Sequence, residues 1–191
     1  MLKKLCLTAY CLSSLFLTGC LSTSPMAPML EWNGRFSLIA QNDSHKENHT
    51  GRFSLMQTSD QTQVLDLKTV LGNTLARIEY ADETVRIQAI GMDEVIGKDP
   101  EALMNQLLGF SVPIHGLAFW IDGEALPNVQ ANTHPAQAPY ETIRQMGWEI
   151  SYRQFDANGM PRRITFERQQ TAQAPALKIT LIILERRHGT P

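Results

Sequence analysis

The sequence predicts a mainly β protein whose antiparallel strands curl into a barrel or a sandwich. About eight segments alternate apolar and polar residues with a period of two, and turn signals separate them. One helical insertion interrupts the series, and no strand–helix–strand rhythm runs along the chain. Strands in this number and with these connections bend round into a barrel or pack as two sheets.

The N-terminus predicts an export signal. Two lysines precede an apolar stretch from Leu5 to Leu17, which is too short for a membrane-spanning helix. The stretch ends in Leu-Thr-Gly-Cys, which resembles the bacterial lipobox, where the cysteine is acylated and becomes the first mature residue. We therefore expect residues 1–19 to be a lipoprotein signal peptide and Cys20 to carry the lipid.

Cleavage before Cys20 changes the composition of the chain. It leaves 172 of the 191 residues, which suffices for one domain with a sizeable core. The mature chain has 15 basic and 19 acidic residues, and this mildly acidic balance argues against nucleic-acid binding. Cys6 and Cys11 leave with the signal and lipid blocks Cys20, so no internal disulfide is expected.

The residues after Cys20 predict the destination and a tether. Aspartate in second place retains lipoproteins of this kind at the inner membrane, whereas second place here is Leu21. We therefore expect attachment to the outer membrane, on its periplasmic face. Prolines and small polar residues make residues 20–30 a lipidated flexible tether, and residues 31–191 form the single domain.

The predicted strands follow the tether. Alternate residues from Trp32 to Ala40 share one face, and a polar loop over residues 41–51 precedes a second strand that begins at Phe53. Further strands are predicted at residues 64–68, 74–80, 84–90, 148–155, 163–169 and 176–185.

Two short helices are predicted in the middle of the chain. Asp99 can cap a helix that starts at Pro100, and Gly109 stops that helix. A second helix with one apolar face is predicted within residues 114–123, and a proline-spaced loop over residues 125–139 follows it.

The turn between the strands at 64–68 and 74–80 is unusually apolar. Gly72 and Asn73 signal a turn, yet Val70 and Leu71 come directly before them, where a hairpin normally meets water. Either these two side chains fold back onto the domain, or they are exposed for a purpose.

No enzymatic, cofactor or metal site is predicted. Phosphate-binding, nucleophile-elbow and dinucleotide motifs do not occur in the sequence. The run from His45 to His49 differs from a zinc-binding helix because its glutamate stands in third place and its surroundings indicate a loop.

Several segments, taken in their order and spacing, resemble the LolB family of outer-membrane lipoprotein receptors. They are the lipobox, WNGRFSL at 32–38, GRFSLMQ at 51–57, LDLKTVLGNTLARI at 65–78, EALMNQLLGFSVPIHGLAFWIDGEALP at 101–127 and QMGWEISYRQFD at 145–156. The resemblance implies an unclosed antiparallel barrel of about eleven strands with short helices across its opening, a fold shared with the periplasmic carrier LolA. Two features depart from the family: Val70 stands where a proline is usual, and the polar helical segment before the first strand is almost missing.

The resemblance also implies the function. A monomeric receptor would accept acylated lipoproteins from LolA into an apolar cavity and insert them into the outer membrane through Val70, Leu71 and Gly72. The residues expected to line the cavity are Phe36, Leu38, Phe53, Leu55, Leu67, Ile78, Ile87, Trp120, Trp148 and Ile150.

Three alternatives stay open from the sequence. The protein could carry another lipid or hydrophobic ligand, serve as a structural lipoprotein with a filled core, or act as an anchored hydrolase with a polar cleft. A void lined by apolar side chains on the concave face of the sheet is the feature that separates these alternatives.

Overall fold

The polypeptide forms one antiparallel sheet with two short helices in the part of the chain that the computed structural model describes, residues 30–58, 62–137, 139–172 and 174–189. The predicted signal peptide, Cys20 and all of the tether before Leu30 lie outside these residues. The strands are β1 Leu30–Gln41, β2 Lys46–Gln57, β3 Gln63–Lys68, β4 Thr74–Ala81, β5 Thr84–Ala89, β6 Val95–Gly97, β7 Ala131–His134, β8 Thr142–Gln145, β9 Trp148–Phe155, β10 Pro161–Arg168 and β11 Ala176–His188. The helices are α1 Pro100–Leu108 and α2 Ile114–Ile121.

The sheet is an unclosed barrel. Its strand order is β6-β5-β4-β3-β2-β1-β11-β10-β9-β8-β7, so the first and last strands pair at its centre. The edge strands β6 and β7 do not pair with each other, and both helices lie between them in the chain. The chain therefore crosses from one open edge to the other through its helices, and the predicted fold class is confirmed.

The central strands follow the alternation read from the sequence. In β1, Trp32, Gly34, Phe36 and Leu38 are buried, with less buried residues between them. Gly34 is needed for close approach, because a Cβ there would lie 2.2 Å from the carbonyl oxygen of Ile182 and 2.7 Å from the Phe53 ring. The buried set of β1 faces the concave side of the sheet and forms part of one continuous core.

Three strands were not predicted, and two predicted loops contain strand. β6 has three residues, and β7 and β8 have four each, which is too short for an alternating pattern to register. β7 lies inside the predicted loop at 125–139. The polar loop at 41–51 is mostly strand, because β2 already pairs with β1 from Lys46; its first five residues are exposed, so neither face carries an apolar signal.

Both helices match their predictions. The Asp99 carboxylate accepts a hydrogen bond from the backbone N–H of Ala102 at 2.9 Å, which caps α1, and Gly109 ends it with a φ of 76°. Leu117, Trp120 and Ile121 of α2 are buried, as their shared face predicted.

Gln145 fixes α2 to β8. Its side chain is buried, and its Oε1 accepts from Trp120 Nε1 and from the backbone N–H of Leu126, both at 2.9 Å. Its Nε2 donates to the carbonyl oxygens of Leu126 and Val129, each at 2.9 Å. The bond to Trp120 is buried and the other three are partly buried, so they hold the helix and the following loop in a single arrangement.

Asp122 fixes the C-terminal end of α2 to the centre of the sheet. Its carboxylate accepts from Trp32 Nε1 at 2.7 Å and from Arg186 Nε at 3.2 Å. Arg186 also donates to the carbonyl oxygen of Ile121 at 3.1 Å and to that of Pro161. The position of α2 relative to β1 and β11 is therefore set by a largely buried charged group with several partners.

Gln145→Leu is expected to lower the free energy of unfolding by about 3 kcal/mol, because it leaves buried donors and acceptors without partners. Urea denaturation measures this loss. Gln88→Leu, the same change at an exposed position, should alter stability by less than about 0.5 kcal/mol. Equal effects of the two substitutions would show that the Gln145 bonds do not hold α2.

Candidate functional site

An apolar cavity of about 360 Å³ lies between the concave face of the sheet and α1. This volume lies in the range of about 300–1,000 Å³ that is typical of small-molecule sites. The strands contribute Phe36, Leu38, Phe53, Leu65, Leu67, Leu75, Ala76, Ile78, Phe166, Ile179 and Leu181. The helices and the segment between them contribute Met104, Leu107, Leu108, Phe110, Val112 and Leu117, and the two polar lining residues are Glu47 and His49.

The cavity lies toward the end of the barrel that carries the β3–β4 turn. Along the sheet, Leu67 pairs with Phe53 and with Ala76, and all three line the cavity just before β3 passes into the turn. Glu47 and His49 precede Phe53 on β2 and lie farther toward the same end, where both are exposed. They mark the polar rim of an otherwise apolar cavity.

Half of the residues predicted for the cavity lie on its wall. These are Phe36, Leu38, Phe53, Leu67 and Ile78. Leu55, Ile87, Trp120, Trp148 and Ile150 are buried in the core instead and lie outside the lining. All ten residues lie inside the fold, and the two groups differ in whether their inward-facing side chains border the cavity.

Packing explains why the other five residues lie away from the cavity. Trp120 reaches Gln145 on β8 and lies 6.2 Å from the Phe166 ring, centroid to centroid, so α2 fills the concave side in front of β8 and β9. Trp148 and Ile150 belong to β9, and the Trp148 ring is also covered by the Arg168 guanidinium 5.1 Å from its centroid. Leu55 pairs with Trp32 and lies two residues beyond Phe53 on β2, farther from the β3–β4 turn, and Ile87 lies on β5, against which α1 packs.

The remaining lining residues were missed as a group. Leu107 and Leu108 lie in the last turn of α1, and Phe166 alternates with Ile164 on β10. The periodicity marks such residues as inward-facing. The periodicity does not predict the position of α2. That position determines which inward-facing residues border the cavity.

The β3–β4 turn presents its apolar residues to solvent. Gly72 N donates to the Thr69 carbonyl oxygen at 3.0 Å, which places Val70 and Leu71 at the two central positions of a β-turn. Thr69 N donates to the Asn73 carbonyl oxygen at 2.8 Å, so the turn is closed although valine replaces proline. Val70 is 63% exposed and Leu71 is 91% exposed, so these side chains do not fold back onto the domain.

The rim of the cavity carries a small charged cluster. Glu47 lies 3.3 Å from His49 Nε2 and 3.1 Å from His45 Nε2. Hydrogen bonding to His49, more than any other contact, lowers the pKa of Glu47 below its ordinary value, so this carboxylate stays ionised. Among the described residues, no group of three or more His, Cys, Asp or Glu side chains is arranged to hold a metal ion.

The chemistry of the wall suits binding of an apolar chain. None of the described lining residues is a serine, threonine or cysteine, and the polar groups lie only at the rim. The void also argues against a structural lipoprotein with a filled interior. No helix in the described part of the chain combines the length and the apolar character that a membrane crossing needs. Fold and cavity together define a half-barrel protein with an apolar cavity of a size suited to a hydrophobic ligand.

Comparison with known proteins narrows this class. The family profile described as "Outer membrane lipoprotein LolB" matches residues 30–185. The chain therefore belongs to the LolB family of outer-membrane lipoproteins.

Individual relatives agree over most of the chain. The outer-membrane lipoprotein LolB of Cupriavidus metallidurans is 28% identical, and the alignment covers 96% of this chain and 97% of that one. The Ralstonia nicotianae LolB is also 28% identical, over 82% and 83% of the two chains.

The crystal structure of a LolA superfamily protein from Nitrosomonas europaea superposes with a TM-score of 0.48 and 8% identity, over 86% of this chain and 89% of that one.

Ala76→Phe is expected to weaken binding of a fluorescent fatty acid about tenfold or more. The new ring would occupy the cavity, and displacing two methylene groups at about 0.8 kcal/mol each suffices for that change. Ala172→Phe makes the same change on an exposed loop and should leave binding unchanged. A folded Ala76→Phe variant that binds the probe as tightly as the unmodified protein would contradict this assignment of the cavity.

Proposed function

We propose that this protein accepts acylated lipoproteins from the periplasmic carrier LolA and inserts them into the inner leaflet of the outer membrane. Membership of the LolB family gives the broader role, that of a lipoprotein receptor in outer-membrane lipoprotein localisation. One observation carries the more specific proposal: the apolar cavity lies toward the end of the barrel where Leu71 is exposed.

The cavity solves a solvation problem. An acyl chain of roughly sixteen carbons, at about 0.8 kcal/mol per CH₂, costs on the order of 13 kcal/mol to expose to water. An acylated protein therefore needs an apolar shelter while it passes from carrier to membrane. The wall of Phe, Leu, Ile and Met side chains supplies such a shelter, while the polar rim residues Glu47 and His49 stay at its edge.

The handover is a sequence of binding equilibria. The sequence carries no nucleotide-binding motif, so we propose that cargo moves from weaker binding in the carrier to tighter binding here, and then into the bilayer. This role requires no catalytic step. A carrier of another hydrophobic ligand would use the same cavity, and the bound cargo separates the two functions.

The N-terminal segment anchors the domain to the membrane in this proposal. Residues 1–19 are removed as a signal peptide, Cys20 anchors the protein by its acyl chains to the periplasmic face of the outer membrane, and residues 20–30 tether the domain. Two or more acyl chains make such an anchor stable. The domain of residues 31–191 then works as a monomer within reach of the membrane that receives the cargo.

Delivery is assigned to the turn of Val70, Leu71 and Gly72. A leucine that leaves water gains about 1.5–3 kcal/mol, which is too little to anchor a protein but enough to bias a tethered domain toward the bilayer. The closing bonds of Thr69 hold the two apolar side chains outward and prevent their burial in the domain.

Leu71→Glu is expected to leave folding and cargo acceptance intact and to slow delivery into liposomes about tenfold or more, because a carboxylate resists entry into the bilayer. The measurement mixes the protein with LolA that carries a labelled lipoprotein and follows the label into the liposomes. Leu184→Glu, at another exposed leucine, is the matched control and should deliver normally. Delivery by Leu71→Glu at the unmodified rate would contradict the role of the turn.

A further inference from the structure

We propose that the β5–β6 turn, Ile90 to Met92, is a second membrane-contacting element and that its partner is the bilayer that holds the acylated anchor. The inference rests on the proposed function and extends it. Delivery would then use two apolar turns, the β3–β4 turn and the β5–β6 turn, on one end of the barrel.

Exposure of apolar side chains is the first observation. Ile90 is 71% exposed and Met92 is 42% exposed; among the large apolar side chains that the structure describes, only Leu71 is more exposed than Ile90. The turn itself is well formed, because Met92 N donates to the Ala89 carbonyl oxygen at 3.1 Å and Gly91 takes a φ of 76°. An ordered turn thus holds two apolar side chains in water without a partner from the described chain.

Position is the second observation. Ile90 N donates to the carbonyl oxygen of Leu75 at 2.9 Å, and Leu75 lines the cavity. Since β3, β4, β5 and β6 are neighbours in that order, the β3–β4 and β5–β6 turns lie next to each other at the same end of the sheet. The β5–β6 turn is therefore continuous with the proposed delivery surface.

Charge is the third observation. The sequence from Ile87 to Met92 and that from Thr69 to Asn73 contain no charged residue. Asp93 and Glu94 follow directly, and the Glu94 carboxylate pairs with Arg86 at 2.7 Å. Pairing lowers the penalty that this carboxylate would bring to a membrane surface. The Asp93 carboxylate is then the main opposing charge beside the two apolar turns.

The length of the tether identifies which membrane is in reach. β1 begins at Leu30, and the β3–β4 turn begins level with Arg35, because Arg35 pairs with Arg52 and Arg52 with Lys68. Five residues of strand span about 17 Å, whereas the ten residues from Cys20 to Leu30 can span at most about 35 Å. Both turns can therefore touch the membrane in which Cys20 is anchored.

Two membrane-contacting turns fix the orientation of the domain on the bilayer, whereas one turn does not. A single apolar turn leaves the domain free to pivot about it, whereas a second turn one strand away defines a line of contact. The start of the cavity-lining strand β4 then lies at the bilayer surface, next to both contacts. The acyl chains of the cargo would leave the cavity over the shortest aqueous path.

The test uses the full-length acylated protein in liposomes of phosphatidylethanolamine and phosphatidylglycerol. The double variant Ile90→Glu with Met92→Glu should accept lipoprotein from LolA within twofold of the unmodified rate. Its delivery into the liposomes should fall about tenfold, since two partly exposed apolar side chains no longer gain from leaving water. Leu184→Glu is the matched control and should deliver within twofold of the unmodified protein.

The outcomes separate this inference from the proposed function. Normal delivery by the double variant, with Leu71→Glu blocked, overturns the second contact and leaves the proposed function standing. Normal delivery by both variants overturns both. Loss of acceptance, with an unchanged rate of delivery for the cargo that is accepted, assigns the β5–β6 turn to the carrier and also overturns the inference.

A labelling measurement decides the matter if the double variant does not fold. Cys20 is blocked by lipid, so a bimane label attaches only to the new cysteine of Ile90→Cys or of the control Leu184→Cys. Lipids brominated on their acyl chains should quench bimane at position 90 and not at position 184. Equal quenching at both positions, or none at position 90, overturns the inference.

Discussion

The structure depends on a mismatch between the concave face of its sheet and the elements that cover it. Eleven strands curl without closing and direct a row of Phe, Leu and Ile side chains inward. The two helices, of nine and eight residues, are too short to cover that face. Part of this apolar face stays uncovered in the folded protein and lines a cavity of about 360 Å³. A ligand with an apolar chain is the natural occupant of such a space.

Placement of the cavity follows from the anchoring of α2. Gln145 and Asp122 fix the helix by buried hydrogen bonds to β8 and to the centre of the sheet. Trp120 therefore fills the concave side next to Gln145 and Phe166, and the uncovered space is left beside it, lined by β1 to β4, β10, β11 and the helical segment. The exposed turns lie at the same end. The cavity and the exposed turns therefore lie at one end of the domain, and the packed α2 lies on the other side of the cavity.

Much of the fold could be predicted from the sequence, because long strands with one buried face leave a clear period. The short strands β6, β7 and β8 could not be predicted, and the polar start of β2 gave no apolar signal. For the cavity, periodicity identified inward residues such as Phe53 and Ile150 alike. Only the tertiary position of α2 determines that Phe53 borders the void while Ile150 is covered. The apolar turn at Leu71 was visible in the sequence because polar residues are normal there.

The most direct measurement of the central claim locates the acyl chains of bound cargo. A lipoprotein whose acyl chain carries a photoreactive diazirine would be transferred to the protein and irradiated, and mass spectrometry would map the adducts. We expect adducts on cavity residues such as Leu65, Met104 and Phe166. Adducts confined to the outer face of the sheet, with cargo still bound, would contradict the claim that the barrel shelters acyl chains in its interior.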